Sequence, residues 1–214
     1  ACLWMGGVGE FGLPSVARIL TGEVNPSGRL VDTYAYDVFS SPAMQNMGNY
    51  EFWKNNGATE TEHHYLTYSE GIYVGYKYYE YNGIAPAYPF GYGLSYTTFR
   101  YGDMQVKKLG ETDYYISFSV QNVGRHAAAE IVQVYISDDA SMVTRPRKEL
   151  VAFGKKHLEV GETCTFGFNL TERDFAYFSP VLNEFYVENG TFTILIGASS
   201  ADIRLQEKVE IKLP

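Results

Sequence analysis

The sequence predicts a mainly β chain: an immunoglobulin-like sandwich of about seven strands, preceded by a fragment of an α/β domain and a long loop. Two observations carry the sandwich. Beyond residue 96, apolar and polar residues alternate with a period of two, and turn residues return at short intervals. A third observation separates the start of the chain, where apolar residues recur at helical spacing instead. The divisions fall at residues 1–33, 34–95 and 96–214.

In the first segment, Cys2-Leu3-Trp4-Met5 is a short apolar run that reads as a strand, followed by glycines and then Leu13, Val16, Ala17 and Leu20 at helical spacing. Pro14 near the start and Gly22 after the end punctuate that helix. Gly6-Gly7-Val8-Gly9 lacks the spacing of a phosphate-binding loop, so it reads as a tight packing turn. Asn25-Pro26-Ser27-Gly28 is a turn in its own right, Pro setting one φ and Gly relieving another.

Residues 34–67 are polar, studded with aromatics, and read as a connection too long for a simple link between neighbouring elements. They hold Asn55-Asn56-Gly57 and Glu60-Thr61-Glu62-His63-His64. The following stretch, Ile84-Ala85-Pro86-Ala87-Tyr88-Pro89-Phe90-Gly91-Tyr92-Gly93-Leu94-Ser95-Tyr96, combines prolines and glycines that fix the backbone with aromatics that supply apolar area. It reads as a rigid hinge, with Phe90 and Tyr92 buried between the sandwich and the preceding segment.

The sandwich strands follow. Ile116, Phe118 and Val120 face one way against Tyr115, Ser117 and Ser119; Val132, Val134 and Ile136, then Phe192, Ile194 and Ile196, repeat the pattern. Cys164 alternates in phase with Phe166, Phe168 and Leu170, which makes it a buried small hydrophobe. Phe99–Val106, Leu150–Phe153 and Ile203–Leu213 complete the count, with turns expected at Gly110, Gly124, Gly154, Gly161 and Gly190.

Composition narrows the function. The formal charge is −8 with no extended Lys/Arg block, so a nucleic-acid partner is not expected. No apolar run reaches the roughly 20 residues that span a bilayer, so no membrane partner is expected either. The 19 tyrosines suit a sugar, whose apolar face stacks on aromatic rings, as well as they suit a half-buried sheet. Two cysteines make no disulfide framework. The chain starts with neither Met nor a charged leader and reads as a piece of something longer. Asn169-Leu170-Thr171 and Asn189-Gly190-Thr191 are glycosylation acceptors only in a eukaryotic secreted protein, so the compartment stays open.

Three motifs in order carry a family resemblance: Gly22-Glu23-Val24-Asn25-Pro26-Ser27-Gly28-Arg29-Leu30, Tyr68-Ser69-Glu70-Gly71-Ile72-Tyr73-Val74-Gly75-Tyr76-Lys77-Tyr78-Tyr79, and the hinge at 84–96. They resemble the C-terminal half of glycoside hydrolase family 3, the β-glucosidase and β-xylosidase group. Val120-Gln121-Asn122-Val123-Gly124, Glu130–Tyr135 and Arg145-Pro146-Arg147-Lys148-Glu149-Leu150 look like its fibronectin type III-like domain. Gly9-Glu10 keeps only part of the family's turn before the helix. Val31–Ala35 and Ser41–Gly48 resemble a bacterial subgroup with permuted domain order. The resemblance implies a retaining mechanism with an Asp nucleophile on a (β/α)8 barrel and a Glu acid/base before the Asn-Pro-Ser-Gly-Arg motif. Neither position falls in these residues, so no catalytic residue is expected here, nor any cofactor. The implied partners are the barrel and α/β sandwich domains of the parent enzyme and, in that parent, a β-linked glucoside or xyloside.

Several clusters resemble chemistry without its context. Ser69-Glu70-Gly71 is similar to an acid/base motif, but it follows Asn25-Pro26-Ser27-Gly28 and continues into Ile72–Tyr76, so Glu70, with Tyr76, Phe90 and Tyr92, is expected in interdomain packing. Ser137-Asp138-Asp139 closes a strand and reads as a solvated turn. His63 and His64 are adjacent on an extended chain and point to opposite faces, so no metal site is expected. Lys77 stands where the family commonly has Arg, which removes the bidentate fork from that position. Trp53, Tyr50 and Tyr65, with Phe52, are suited to a sugar-stacking edge if the long loop reaches the parent's cleft; the same residues suit a loop clasping the barrel. The rival class, a freestanding carbohydrate-binding or adhesion module, leaves residues 1–33 without a core to join.

Overall fold

The computed structural model describes residues 2–45, 50–54, 59–65 and 68–213. In chain order the elements are helix α1 (Gly9–Leu20), a 3₁₀ turn (Val38–Ser40), α2 (Pro42–Gln45), β1 (Tyr50–Lys54), β2 (Thr59–Tyr65) and α3 (Tyr76–Tyr81). The sandwich then runs β3 (Phe99–Lys108), β4 (Tyr114–Asn122), β5 (Ala128–Asp138), β6 (Glu149–Leu158), β7 (Thr163–Leu170), α4 (Glu172–Phe175), β8 (Tyr177–Ser179), β9 (Glu184–Tyr186), β10 (Gly190–Gly197) and β11 (Ile203–Ile211).

Seven strands form two antiparallel sheets, in the orders β11-β10-β5-β6 and β3-β4-β7. The predicted alternation is what fills the space between them. Ile116, Phe118 and Val120 of β4 meet Val132, Val134 and Ile136 of β5 and Phe192, Ile194 and Ile196 of β10, all nearly inaccessible to solvent. Tyr101, Phe118, Phe166 and Phe168 stack in a row, with planes within 13° of parallel between successive rings. Asn122, fully buried, is satisfied on every side: it accepts from Thr97 Oγ1 and Gly124 N and donates to the carbonyls of His126 and Leu158. α4 is closed by Asp174, whose carboxylate accepts from the Thr171 amide at 2.7 Å.

Four expectations are corrected. Residues 2–8 form no strand and pair with none of the described strands, and Trp4 stays 74% exposed. The helix starts at Gly9, so Pro14 lies inside it; Gly22 does follow its end, at φ +79°. Gly154 is no turn but the interior of β6, where a Cβ would come within 3.2 Å of the Phe166 and Phe168 rings. Cys164 packs against the core from a half-buried position, since β7 is an edge strand.

The 34–95 stretch is more structured than a loop. It carries α2, α3 and an antiparallel hairpin of β1 and β2, in which Tyr50 is registered with Tyr65 and Trp53 with Glu60. No period-2 apolar face announces β2, whose residues are Thr-Glu-Thr-Glu-His-His-Tyr. No helix among the described residues is long and apolar enough to cross a membrane.

Candidate functional site, an interdomain junction

The hinge and α3 converge on the outer face of β5, and the first motif joins them through Leu30 and Arg29. In β5 the residues out of phase with the core, Gln133 and Tyr135, are buried as well, so the strand is covered on both faces. The second cover is the hinge. Gly91, at φ +83°, lies so close that a Cβ there would stand 2.3 Å from the Gln133 amide. Tyr76 sits between Phe90 and Tyr135, with ring centroids at 5.4 and 5.8 Å. The hinge carbonyl of Phe90 accepts from the amide of Ser200 at 2.9 Å.

The hinge is also hydrogen-bonded to the first segment. Leu30 N donates to Tyr92 O, Gly91 N to Leu30 O, and Tyr34 and Tyr88 exchange both backbone bonds, all between 2.8 and 3.0 Å. The turn predicted at Asn25 has a further role. Its Oδ1 accepts from Tyr96 N and Ser95 Oγ, while the Tyr96 hydroxyl donates to Ile19 O at the end of α1.

Arg29 and Glu130 are the junction residues that sequence reasoning missed. Arg29 Nη2 donates to Glu130 Oε2 and Nη1 donates to Gly93 O; the two side chains are 8% and 1% exposed. Glu130 also accepts from the Tyr101 hydroxyl at 2.9 Å, with Arg204 Nη1 3.8 Å away. A signal was present: Glu130 occurs in phase with Val132, Val134 and Ile136, and a carboxylate on the apolar face of a strand needs a cation to meet it.

A second ion cluster holds α3. Lys77 Nζ lies 3.0 Å from Glu149, which also pairs with Arg145 at 2.9 Å, and Glu80 pairs with Lys148 at 2.7 Å. Leu150 N donates to the Tyr76 hydroxyl at 2.9 Å. Lys77 therefore does hold a carboxylate without the arginine fork, because Arg145 supplies the other contact. Asp138 corrects the solvated-turn reading: its side chain is 5% exposed and faces Arg145 at 3.3 Å. Burial alone pushes the Glu80 carboxyl up and, stronger than its Lys148 contact, keeps it there. Burial would also raise Glu149, but the hydrogen bonds from Arg145 and Lys77 outweigh it and hold that carboxyl below its ordinary value.

A pH effect follows from Glu149. With a folded pKa below the unfolded one, the unfolded chain binds more protons as pH falls, so the stabilisation is complete above the unfolded value of about 4.5 and is lost below it. Glu149→Gln should flatten the acid side of a plot of melting temperature against pH. Parallel curves for the two proteins would show that Glu149 contributes nothing there.

Of the packing residues expected from sequence, Tyr76 and Phe90 meet directly, and Tyr92 meets Tyr88 with tilted rings, centroids 5.2 Å apart. Phe90 and Tyr92 are half-buried, less than expected, because the hinge lies on the outside of the sheet. Glu70 is half-buried in a turn before α3, its carbonyl accepting from Tyr73 N. Trp53, Tyr50 and Tyr65 lie in the hairpin, where the backbone alone is described.

The junction has an unfinished outer side. α1 buries none of its residues, and Phe11, Leu20 and Val31 are 89%, 70% and 87% exposed. Among the described residues, the buried side-chain atoms with no hydrogen-bond partner, Asn25 Nδ2, Arg29 Nε, Thr33 Oγ1 and Tyr73 Oη, all belong to this half of the chain.

Residues 1–76 match the Glycosyl hydrolase family 3 C-terminal domain and residues 130–200 the Fibronectin type III-like domain. The chain is 43% identical to Thermostable beta-glucosidase B of Acetivibrio thermocellus over 92% of its own length and 25% of that protein's. It is 39% identical to Exo-alpha-(1->6)-L-arabinopyranosidase of Bifidobacterium longum, again over 92% of this chain and 24% of the relative. Among solved structures it is similar to the Bifidobacterium adolescentis GH3 beta-glucosidase, with TM-score 0.83 and 37% identity over 95% of this chain and 29% of that one. Thermotoga neapolitana beta-glucosidase 3B in complex with glucose gives TM-score 0.80 and 36% identity over 92% and 26%. The chain thus spans about a quarter of the length of these curated relatives. Both halves of the junction match the same family in the same order, and the chain belongs to glycoside hydrolase family 3, as a piece holding part of the C-terminal domain and the fibronectin type III-like domain.

Proposed function

We propose that this chain is the non-catalytic junction of a retaining β-glucosidase-like enzyme that hydrolyses terminal β-linked sugars, a glucoside or xyloside. The observation that carries the reading is that the motifs shared with family 3 serve here to join two domains: Arg29 holds Glu130, Gly91 lies on Gln133, and Lys77 holds Glu149. Hydrolysis needs two carboxyl groups flanking one bond, the nucleophile about 5–5.5 Å from the acid/base in a retaining enzyme. The carboxylates of this junction are instead held by cations. The exposed apolar residues of α1 and the unpartnered polar atoms of Asn25, Arg29, Thr33 and Tyr73 suit the remaining domains of the parent enzyme. Identity to proteins named for a glucosidase and for an arabinopyranosidase fits a segment that does not select the sugar.

In this reading the hairpin of β1 and β2 is the part of the chain with a route to substrate, and Trp53, Tyr50 and Tyr65 are its proposed stacking residues. The test uses the full-length protein. It should release glucose or xylose from aryl β-glycosides with the β configuration retained in the first-formed product; inversion or inactivity on both series contradicts the assignment. In the same protein Trp53→Ala should raise KM for a β-linked disaccharide with little change in melting temperature. Unchanged kinetics with a lower melting temperature would make the hairpin a structural clasp.

A further inference from the structure

The β1–β2 hairpin lies in the chain between two legs, and each leg is fastened to the sandwich by ion pairs, buried at Arg29 and partly exposed at α3. The first leg leaves Arg29, is paired with the hinge at Leu30 and Tyr34, and reaches the 3₁₀ turn at Val38–Ser40. The second leg is α3, whose Tyr76, Lys77 and Glu80 are held by Leu150, Glu149 and Lys148. The legs also meet each other: Ser40 Oγ lies 3.4 Å from the hydroxyl of Tyr79, a residue only 4% exposed. Neither strand of the hairpin pairs with a sandwich strand. In the chain the hairpin follows the first leg and precedes the second.

We propose that Arg29 and Lys77 are positioning residues, which pin the two legs of the β1–β2 hairpin to the sandwich and so fix where the hairpin stands. The chemistry favours Arg29 as the stronger pin. Its guanidinium joins three places at once: the leg it belongs to, the hinge at Gly93 O and the sandwich at Glu130. A buried ion pair adds little net stability over a neutral replacement, but its geometry admits one arrangement where apolar contact admits several. Lys77 performs the same service for α3 through Glu149 from a more exposed position.

The experiment separates position from stability. In the full-length protein, Arg29→Met with Glu130→Gln removes both charges and leaves the Tyr101 hydroxyl an acceptor. The double variant should melt near wild type, while amide exchange in residues 50–54 and 59–65 accelerates about tenfold and exchange in β4 and β10 is unchanged. Hairpin exchange equal to wild type overturns the proposal. If the double variant does not fold, Arg29→Lys replaces it: the charge facing Glu130 is kept and the fork onto Gly93 lost, so the same acceleration is expected at smaller amplitude, and its absence overturns the proposal equally. A kinetic arm rests on the hairpin's proposed place at the cleft: KM for a β-linked disaccharide should rise about threefold or more while kcat holds. Faster hairpin exchange with unchanged KM refutes the cleft placement and leaves the pins standing, so the two failures are distinguishable.

Discussion

Arg29→Met alone is expected to lower the free energy of unfolding by about 3–5 kcal/mol, the effect of stranding a buried carboxylate. Glu130 is 1% exposed and takes its strong contact from Arg29; Arg204, at 3.8 Å, is engaged by Asp202 at 2.8 Å and is a poor substitute. Glu130→Gln should cost less than Arg29→Met, because it strands a cation that still has the Gly93 carbonyl. Combined, the two changes should cost less than their sum, as expected for side chains in contact. Urea denaturation of the four proteins measures this. Additive losses, or an Arg29→Met loss under about 1 kcal/mol, would mean that water reaches Glu130 and that the pair is not a buried one.

Gly91→Ala should be nearly as damaging, for a different reason. The left-handed backbone at φ +83° costs a non-glycine residue about 1–2 kcal/mol by itself. The methyl group would stand 2.3 Å from Gln133 Nε2, and Gln133 cannot simply swing away: it is 4% exposed and its Oε1 accepts from the Tyr135 hydroxyl at 2.6 Å. Relieving the overlap means lifting the hinge from β5, which adds about 1–3 kcal/mol as overpacking does elsewhere. The loss should appear as a lower unfolding midpoint together with increased exposure of Tyr76 and Phe90, read by near-ultraviolet circular dichroism. A stable Gly91→Ala protein with an unaltered spectrum would show that the hinge does not lie on the sheet as described.

These residues also show how far sequence alone reaches. The sandwich was legible because one face of each strand meets the core and the other meets water, so Ile116, Phe118 and Val120 announce themselves by alternation. The same logic hides the junction. Gln133 and Tyr135 occupy the phase that normally faces solvent, and only the structure reveals that a hinge from elsewhere in the chain covers them. Gly154 reads as a turn because glycine usually is one; its reason lies across the core, in the Phe166 and Phe168 rings. The hairpin lacked an apolar face to give it a period, although Asn55-Asn56-Gly57 between its strands is a turn signal in retrospect. The strand expected at Cys2–Met5 failed for a complementary reason: an apolar run becomes a strand only beside another one.

The central claim is that this piece joins domains and performs no hydrolysis itself. Its most direct test is a sensitive turnover assay of the purified 214-residue chain on a fluorogenic aryl β-glucoside, on material that unfolds cooperatively. The account predicts no release of aglycone above the uncatalysed rate, at any pH. Turnover that survives repurification and disappears in Glu70→Gln would contradict it, placing an acid/base carboxylate in the turn before α3.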